Sequence, residues 1–188
     1  MTRKLCIAWG EVNNSENKEL VSKGNAGDLI VAGASDFILF YHVESCLAAA
    51  FFPADHVSVV GVHLAQMAPP AANCADMMDL SCIGKYYASK KLAPWYGQLT
   101  HAAFVGAAQS WAYVAADICS TLAIPNALFV NSPDASDVWS EPNGDLVVAK
   151  WASSNRQLSI VPDLGARFRV KAQAGYRGAP EFVEAMRD

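Results

Sequence analysis

Charge is scarce in this sequence. Only 17% of its 188 residues are Asp, Glu, Lys or Arg, and the formal net charge is −4. No basic run and no interleaving of basic with aromatic residues occurs, which argues against nucleic acid as a partner. Long apolar runs are missing too. None reaches the roughly 18 residues that a membrane helix needs. The longest candidate, FILFYHVESCLAAAFF, is broken by His42 and Glu44, so no membrane insertion is expected. The opening MTRKLCIAWGEV has an apolar stretch too short for a signal peptide. Internal repeats, low-complexity tracts and linkers are absent as well, which predicts a single domain over residues 1–188.

Paired cysteine motifs are also lacking. The five cysteines are Cys6, Cys46, Cys74, Cys82 and Cys119, and no CxxC occurs among them. The closest two, Cys74 and Cys82, are spaced for neither a zinc ribbon nor a knuckle. An odd count without a leader reads as reduced thiols in a reducing compartment. The expected location is the cytoplasm, or a target cell reached by a leaderless route.

What the chain has in quantity is apolar surface, with 53% hydrophobic residues. A chain of this length can bury a sizeable core. Either that core is large or a partner covers part of the surface. Strands are expected at KLCIAW, DLIVAG, HAAFVGAA, ALFV, GDLVVAKW, QLSIV and ARFRV. DFILFYHV reads as strand or helix, since periodicity does not arbitrate over so short a run. GEVNNSENKELVSKGNAG and NSPDASDVWSEPNG read as loops.

Helices are expected at AANCADMMDLSCIGKYYASKKL and at QSWAYVAADICSTLAI. In the second, Trp111, Val114, Ile118 and Leu122 fall at helical spacing and Pro125 follows. APEFVEAMRD, with Pro180 near its start, reads as a short terminal helix. The order of elements argues for an α+β fold, a mixed β-sandwich-like sheet core with flanking helices.

The most informative stretch is SCLAAAFFPADHVSVVGVHLA, residues 45–65. Two apolar runs around a Pro/Asp turn suggest a hairpin, although the alanine run favours helix. With the turn centred between Ala54 and Asp55, Phe52 opposes Val57, and six steps on Cys46 opposes His63. Directly opposed side chains share a face, with Cβ atoms about 4.5–5.5 Å apart. A one-residue slip would separate them. A thiol beside an imidazole that takes its proton is a nucleophile with its base. Core packing of a buried thiol and a satisfied histidine is the simpler alternative.

VESC, the interval of seventeen residues from Cys46 to His63, and VHLAQM together resemble the chemoreceptor glutamine deamidases of the CheD type. The catalytic core of the cytotoxic necrotizing factors and of the related lethal factor is similar. The resemblance is best over Asp28 to Leu64. It implies that Cys46 attacks a glutamine side-chain carbonyl of a protein substrate, with His63 as general base and no cofactor. A toxin or effector would fit it.

Two positions depart from the pattern. Phe40 stands where CheD and the lethal factor carry a threonine that orients the histidine. Glu44 stands where a glycine precedes Ser-Cys, which puts the turn in doubt. Ser45, Tyr41 and Glu44 are local candidates for the orienting role.

Three readings follow. The first is a protein glutamine deamidase, or the related transglutaminase. The second is a non-catalytic interaction module on the same scaffold. The third is a zinc-dependent hydrolase. On a strand, His42, Glu44 and Cys46 would share a face that His63 joins, and such a set could bind zinc. His-x-Glu in HVESC also occurs in zinc nucleoside deaminases, but the Pro-Cys-x-x-Cys they need downstream is missing. His56 and His101 show no evident partner. The remaining cysteines, with Trp95, Tyr96, Trp111 and Trp139, read as core or interface.

Overall fold

A computed structural model describes residues 4–9, 19–24, 27–34, 36–55, 57–65, 84, 86–133, 136–140, 145–150, 166–171 and 181–184. The fold is α+β, with two six-stranded mixed sheets. The strands are β1 (Lys4–Trp9), β2 (Glu19–Lys23), β3 (Leu29–Ala32), β4 (Phe37–Val43), β5 (Leu47–Pro53), β6 (Val59–Leu64), β7 (Leu99–Gly106), β8 (Asn126–Asn131), β9 (Ser136–Ser140), β10 (Asp145–Lys150), β11 (Ala166–Lys171) and β12 (Glu181–Glu184). The first sheet runs β11-β10-β9-β4-β1-β2 and the second β12-β8-β7-β5-β6-β3.

Helix α1 (Ala108–Leu122) connects β7 to β8, which pair in parallel. A parallel pair needs such a crossover, because a tight hairpin cannot join its ends. α1 stops at Ala123, which takes the left-handed conformation (φ 53°) and returns its N–H to the carbonyls of Cys119 and Ser120. Among the described residues no helix is long and apolar enough to cross a membrane.

The second sheet is buried on both faces. One face packs under α1, where Leu47, Phe51, Val62, Leu64 and Phe104 meet Trp111, Val114, Ile118 and Leu122. The other faces the first sheet, where Ala48, Ala50, Ala103 and Val105 meet Ile38, Phe40, Val43 and Val138. The small residues of β5 have a packing reason. A Cβ on Gly61, opposite Ala50, would lie 2.8 Å from Ile38 Cδ1 and 2.8 Å from Phe40 Cζ. Tertiary packing therefore overrides the helical preference of the alanine run.

Several expectations need correction. The presumed loop before residue 27 contains β2, a parallel partner of β1. NSPDASDVWSEPNG contains β9, an antiparallel neighbour of β4. APEFVEAMRD contains no helix over Glu181–Glu184; these residues form a strand paired in parallel with β8. Pairing to an open sheet edge outweighs a weak local preference. Of the first expected helix, residues 71–83 and 85 lie outside the described residues, and Tyr87–Lys91 form a short π-helical turn. QLSIV, His56, Cys74 and Cys82 also lie outside them. Trp111 and Trp139 are buried as expected. His101 does have partners: its ring stacks on Phe52 at 4.6 Å between centroids, and its Nδ1 lies 2.9 Å from Thr100 Oγ1.

Candidate functional site

The hairpin β5–β6 exists, but its register is not the symmetric one. Leu47 opposes Leu64, Ala48 opposes His63 and Phe51 opposes Val60. The cause is Asp55. Its Oδ1 accepts the backbone N–H groups of Val57 (3.0 Å) and Ser58 (3.1 Å), and its Oδ2 accepts the Ser58 hydroxyl (2.7 Å). This side-chain turn withdraws residues 57 and 58 from the ladder, so β6 begins at Val59 and the pairing moves by two residues. A slip of two preserves the face of every side chain, whereas a slip of one would invert it.

His63 is therefore opposed by Ala48, and Cys46 lies in the bend two residues before Ala48, ahead of the first paired residue Leu47. Cys46 and Ala48 belong to the core between the sheets, and His63 faces the same way, between Val62 and Leu64, which point to the helix. His63 is fully buried, while Cys46 retains 6% of its surface. Glu44 and Ser45, immediately before Cys46, are exposed. The thiol thus sits at the rim, with the imidazole deeper.

Burial pushes the His63 pKa down to about 3, and the nearby His42 lowers it further through its charge. His63 is thus neutral at physiological pH, the form that accepts a proton. At Cys119, by contrast, burial raises the thiol to about 12.

Behind the pair lies a bulge. The β4–β9 register shifts between Phe40 and Val43, and His42 adopts a left-handed conformation (φ 53°). Histidine tolerates this region better than most side chains. The bulge aims the His42 N–H at Asp137 Oδ1, 2.8 Å away, and places its Nε2 3.2 Å from Glu44 Oε2. Asp137 and Ser136 are buried at the start of β9. Ser132 is buried too, with its Oγ 3.4 Å from that of Ser136.

The orienting candidates have other engagements. The Ser45 backbone carbonyl accepts the Trp111 Nε1–H (3.0 Å). Glu44 pairs with His42. Tyr41 has its pKa raised by burial and by the charge of Asp137. Phe40 fills the space left by Gly61, so a core ring occupies the position where the resemblance calls for a hydroxyl. Glu44 needs no glycine-like backbone, because among the described residues the left-handed non-glycine positions are His42 and Ala123.

The set His42, Glu44, Cys46 and His63 does not form along one strand face. Residues 44–46 are a bend, and His42 sits in the bulge, so the alternation of a strand is broken before Cys46. Among the described residues no group of three or more His, Cys, Asp or Glu side chains could hold a metal ion.

Sequence reasoning missed Asp137, Ser136, Trp111 in its contact with Ser45, and Gly106. Partner strands and the packing of α1 reveal them. No protein-family model matches the chain, and no curated protein matches it.

Proposed function

We propose that this chain is a cysteine-dependent protein glutamine deamidase, or the related transglutaminase, with Cys46 as nucleophile and His63 as base. The observation that supports it is the shared face. Cys46 stands at the rim beside an exposed bend, and a neutral imidazole lies on the same side of the same hairpin.

As the thiol attacks the side-chain amide carbon of a glutamine, its proton passes to His63 and a sulfur–carbon bond forms. The tetrahedral intermediate expels ammonia, which takes that proton from the imidazolium. Water, deprotonated by His63, then hydrolyses the thioester to give glutamate and the regenerated thiol. An amine in place of water gives the transglutaminase product. Forming an imidazolium in a buried site is costly by itself, so proton transfer accompanies development of negative charge on the substrate. The reaction takes place in the cytoplasm of the producing cell or of a target cell.

Because His63 stays neutral down to about pH 3, activity should show no loss near pH 6–7, where an ordinary histidine base is protonated. The decisive assay is the intact mass of candidate partner proteins after incubation. A gain of about one mass unit per site, from amide to acid, is expected, and Cys46→Ser should abolish it. A gain that survives Cys46→Ser would overturn the assignment.

One observation favours the second reading, a non-catalytic interaction module on this scaffold: His63 is sealed and Cys46 nearly so. On that reading Cys46→Ser leaves partner binding unchanged and no partner gains mass.

A further inference from the structure

A nucleophile must be aimed as well as activated. A misplacement of about 1 Å at a reacting group is enough to cost roughly 100-fold in rate. Cys46 lies in the bend just before β5. Two contacts from other elements bear on its backbone there.

The first comes from α1. Trp111 is fully buried, and its indole N–H donates to the Ser45 carbonyl at 3.0 Å. That carbonyl and the Cys46 N–H belong to one planar peptide unit, so the bond fixes the plane on the N-terminal side of the Cys46 Cα. The second comes from β7. Gly106 opposes Leu47, and a Cβ there would lie 2.8 Å from the Cys46 carbonyl oxygen. The absence of a side chain at Gly106 thus permits the plane on the C-terminal side. The indole thus holds the plane before the Cys46 Cα and the bare glycine leaves room for the plane after it, and together they favour one direction of the Cys46 side chain.

Both contacts are anchored further out. Asn131 Oδ1 accepts the Ala108 N–H at 3.1 Å, supplying the cap that Ala107 lacks at the start of α1. Gly106 gives its own carbonyl to the Ser132 N–H at 3.0 Å. The end of β8 therefore holds both the helix start and the glycine that frame the bend.

We propose that Trp111 and Gly106 are positioning residues that aim the Cys46 thiol, the Trp111 indole by holding the peptide plane before its Cα and Gly106 by leaving room for the plane after it. The proposal rests on the reading of Cys46 as a reactive thiol. Its consequence is that substitutions that touch neither Cys46 nor His63 change the chemistry of one thiol selectively.

The test is residue-resolved mass spectrometry of iodoacetamide labelling on the full chain, from pH 5 to 10, for the parent, Trp111→Phe and Gly106→Ala. Trp111→Phe removes the indole N–H and keeps an aromatic ring. Gly106→Ala pushes on the Cys46 carbonyl from the other side, so a folding defect in one variant leaves the other informative. Cys119, buried in the helix-side core, reports general loosening.

The expected result is a change of roughly tenfold or more in the Cys46 rate in either variant. The midpoint of its pH profile should differ from that of the parent, while Cys119 stays as slow as in the parent. Unchanged Cys46 kinetics in both variants, or a Cys46 change matched by Cys119, would overturn the proposal. A parent Cys46 that reacts no faster than Cys119 counts against the deamidase reading instead. In that case a selective change in the variants still supports the positioning role.

Discussion

The two faces of β5, β6 and β7 differ in kind. Toward α1 they present Leu47, Phe51, Val60, Val62, Leu64 and Phe104, mostly large apolar side chains, with Ala49 and Ala102 among them. Toward the first sheet they present the small Ala48, Ala50, Gly61 and Ala103 and the polar His63, beside Phe52, Val59 and Val105, against Ile38, Phe40 and Val138. The helix side follows ordinary core logic, volume against volume. The inter-sheet side lets two sheets approach closely by using small residues, and it takes in polar groups, His63, Ser136 and Ser140. A sequence optimised only for packing would have no reason to bury an imidazole there, since desolvation of a polar group is costly.

The largest expected effect that sharpens this contrast is a pH dependence confined to the inter-sheet face. The folded His63 pKa is about 3, against an ordinary value of 6.5. Below pH 6.5 the unfolded chain binds a proton that the native state refuses, so stability falls as pH falls. The loss runs from about pH 6.5 to 3, at up to about 1.4 kcal/mol per pH unit, or roughly 4–5 kcal/mol across the window. His63→Leu should flatten this limb in urea titrations at pH 7 and pH 4. An unchanged limb would show that other groups cause it.

Next come two packing substitutions, one per face. Trp111→Ala on the helix side should cost about 3–5 kcal/mol by leaving a cavity. Gly61→Val should cost about 1–3 kcal/mol by overpacking against Ile38 and Phe40. Urea midpoints check both. If Gly61→Val is neutral, the sheets are not in the close contact described.

How far the sequence foretold this arrangement depends on the interaction concerned. Alternation along β5 and β6 is a local property, so the faces of Ala48 and His63 were legible, whereas Cys46 lies in the bend before β5. The register was not, because it turns on Asp55 binding the N–H groups of Val57 and Ser58, which a symmetric count ignores. The helical spacing of Trp111, Val114, Ile118 and Leu122 identified α1, and those four residues are buried.

β2, β9 and β12 were missed because their own residues are largely polar or neutral in preference, so that pairing with other strands decides them. The same reason hid Asp137. Its place behind the bend depends on a bulge in β4 that brings the His42 N–H to it, and a bulge is a property of two strands together. The departures at Phe40 and Glu44 became intelligible only with the opposing sheet and the bend in view.

The most direct test of the central claim, that Cys46 and His63 act as a pair, is the alkylation rate of Cys46 at neutral pH with and without the imidazole. The account predicts that Cys46 is the fastest of the buried thiols Cys6, Cys46 and Cys119, and that His63→Leu slows it by roughly tenfold or more while Cys6 and Cys119 are unaffected. A Cys46 rate that is indifferent to His63 would contradict it.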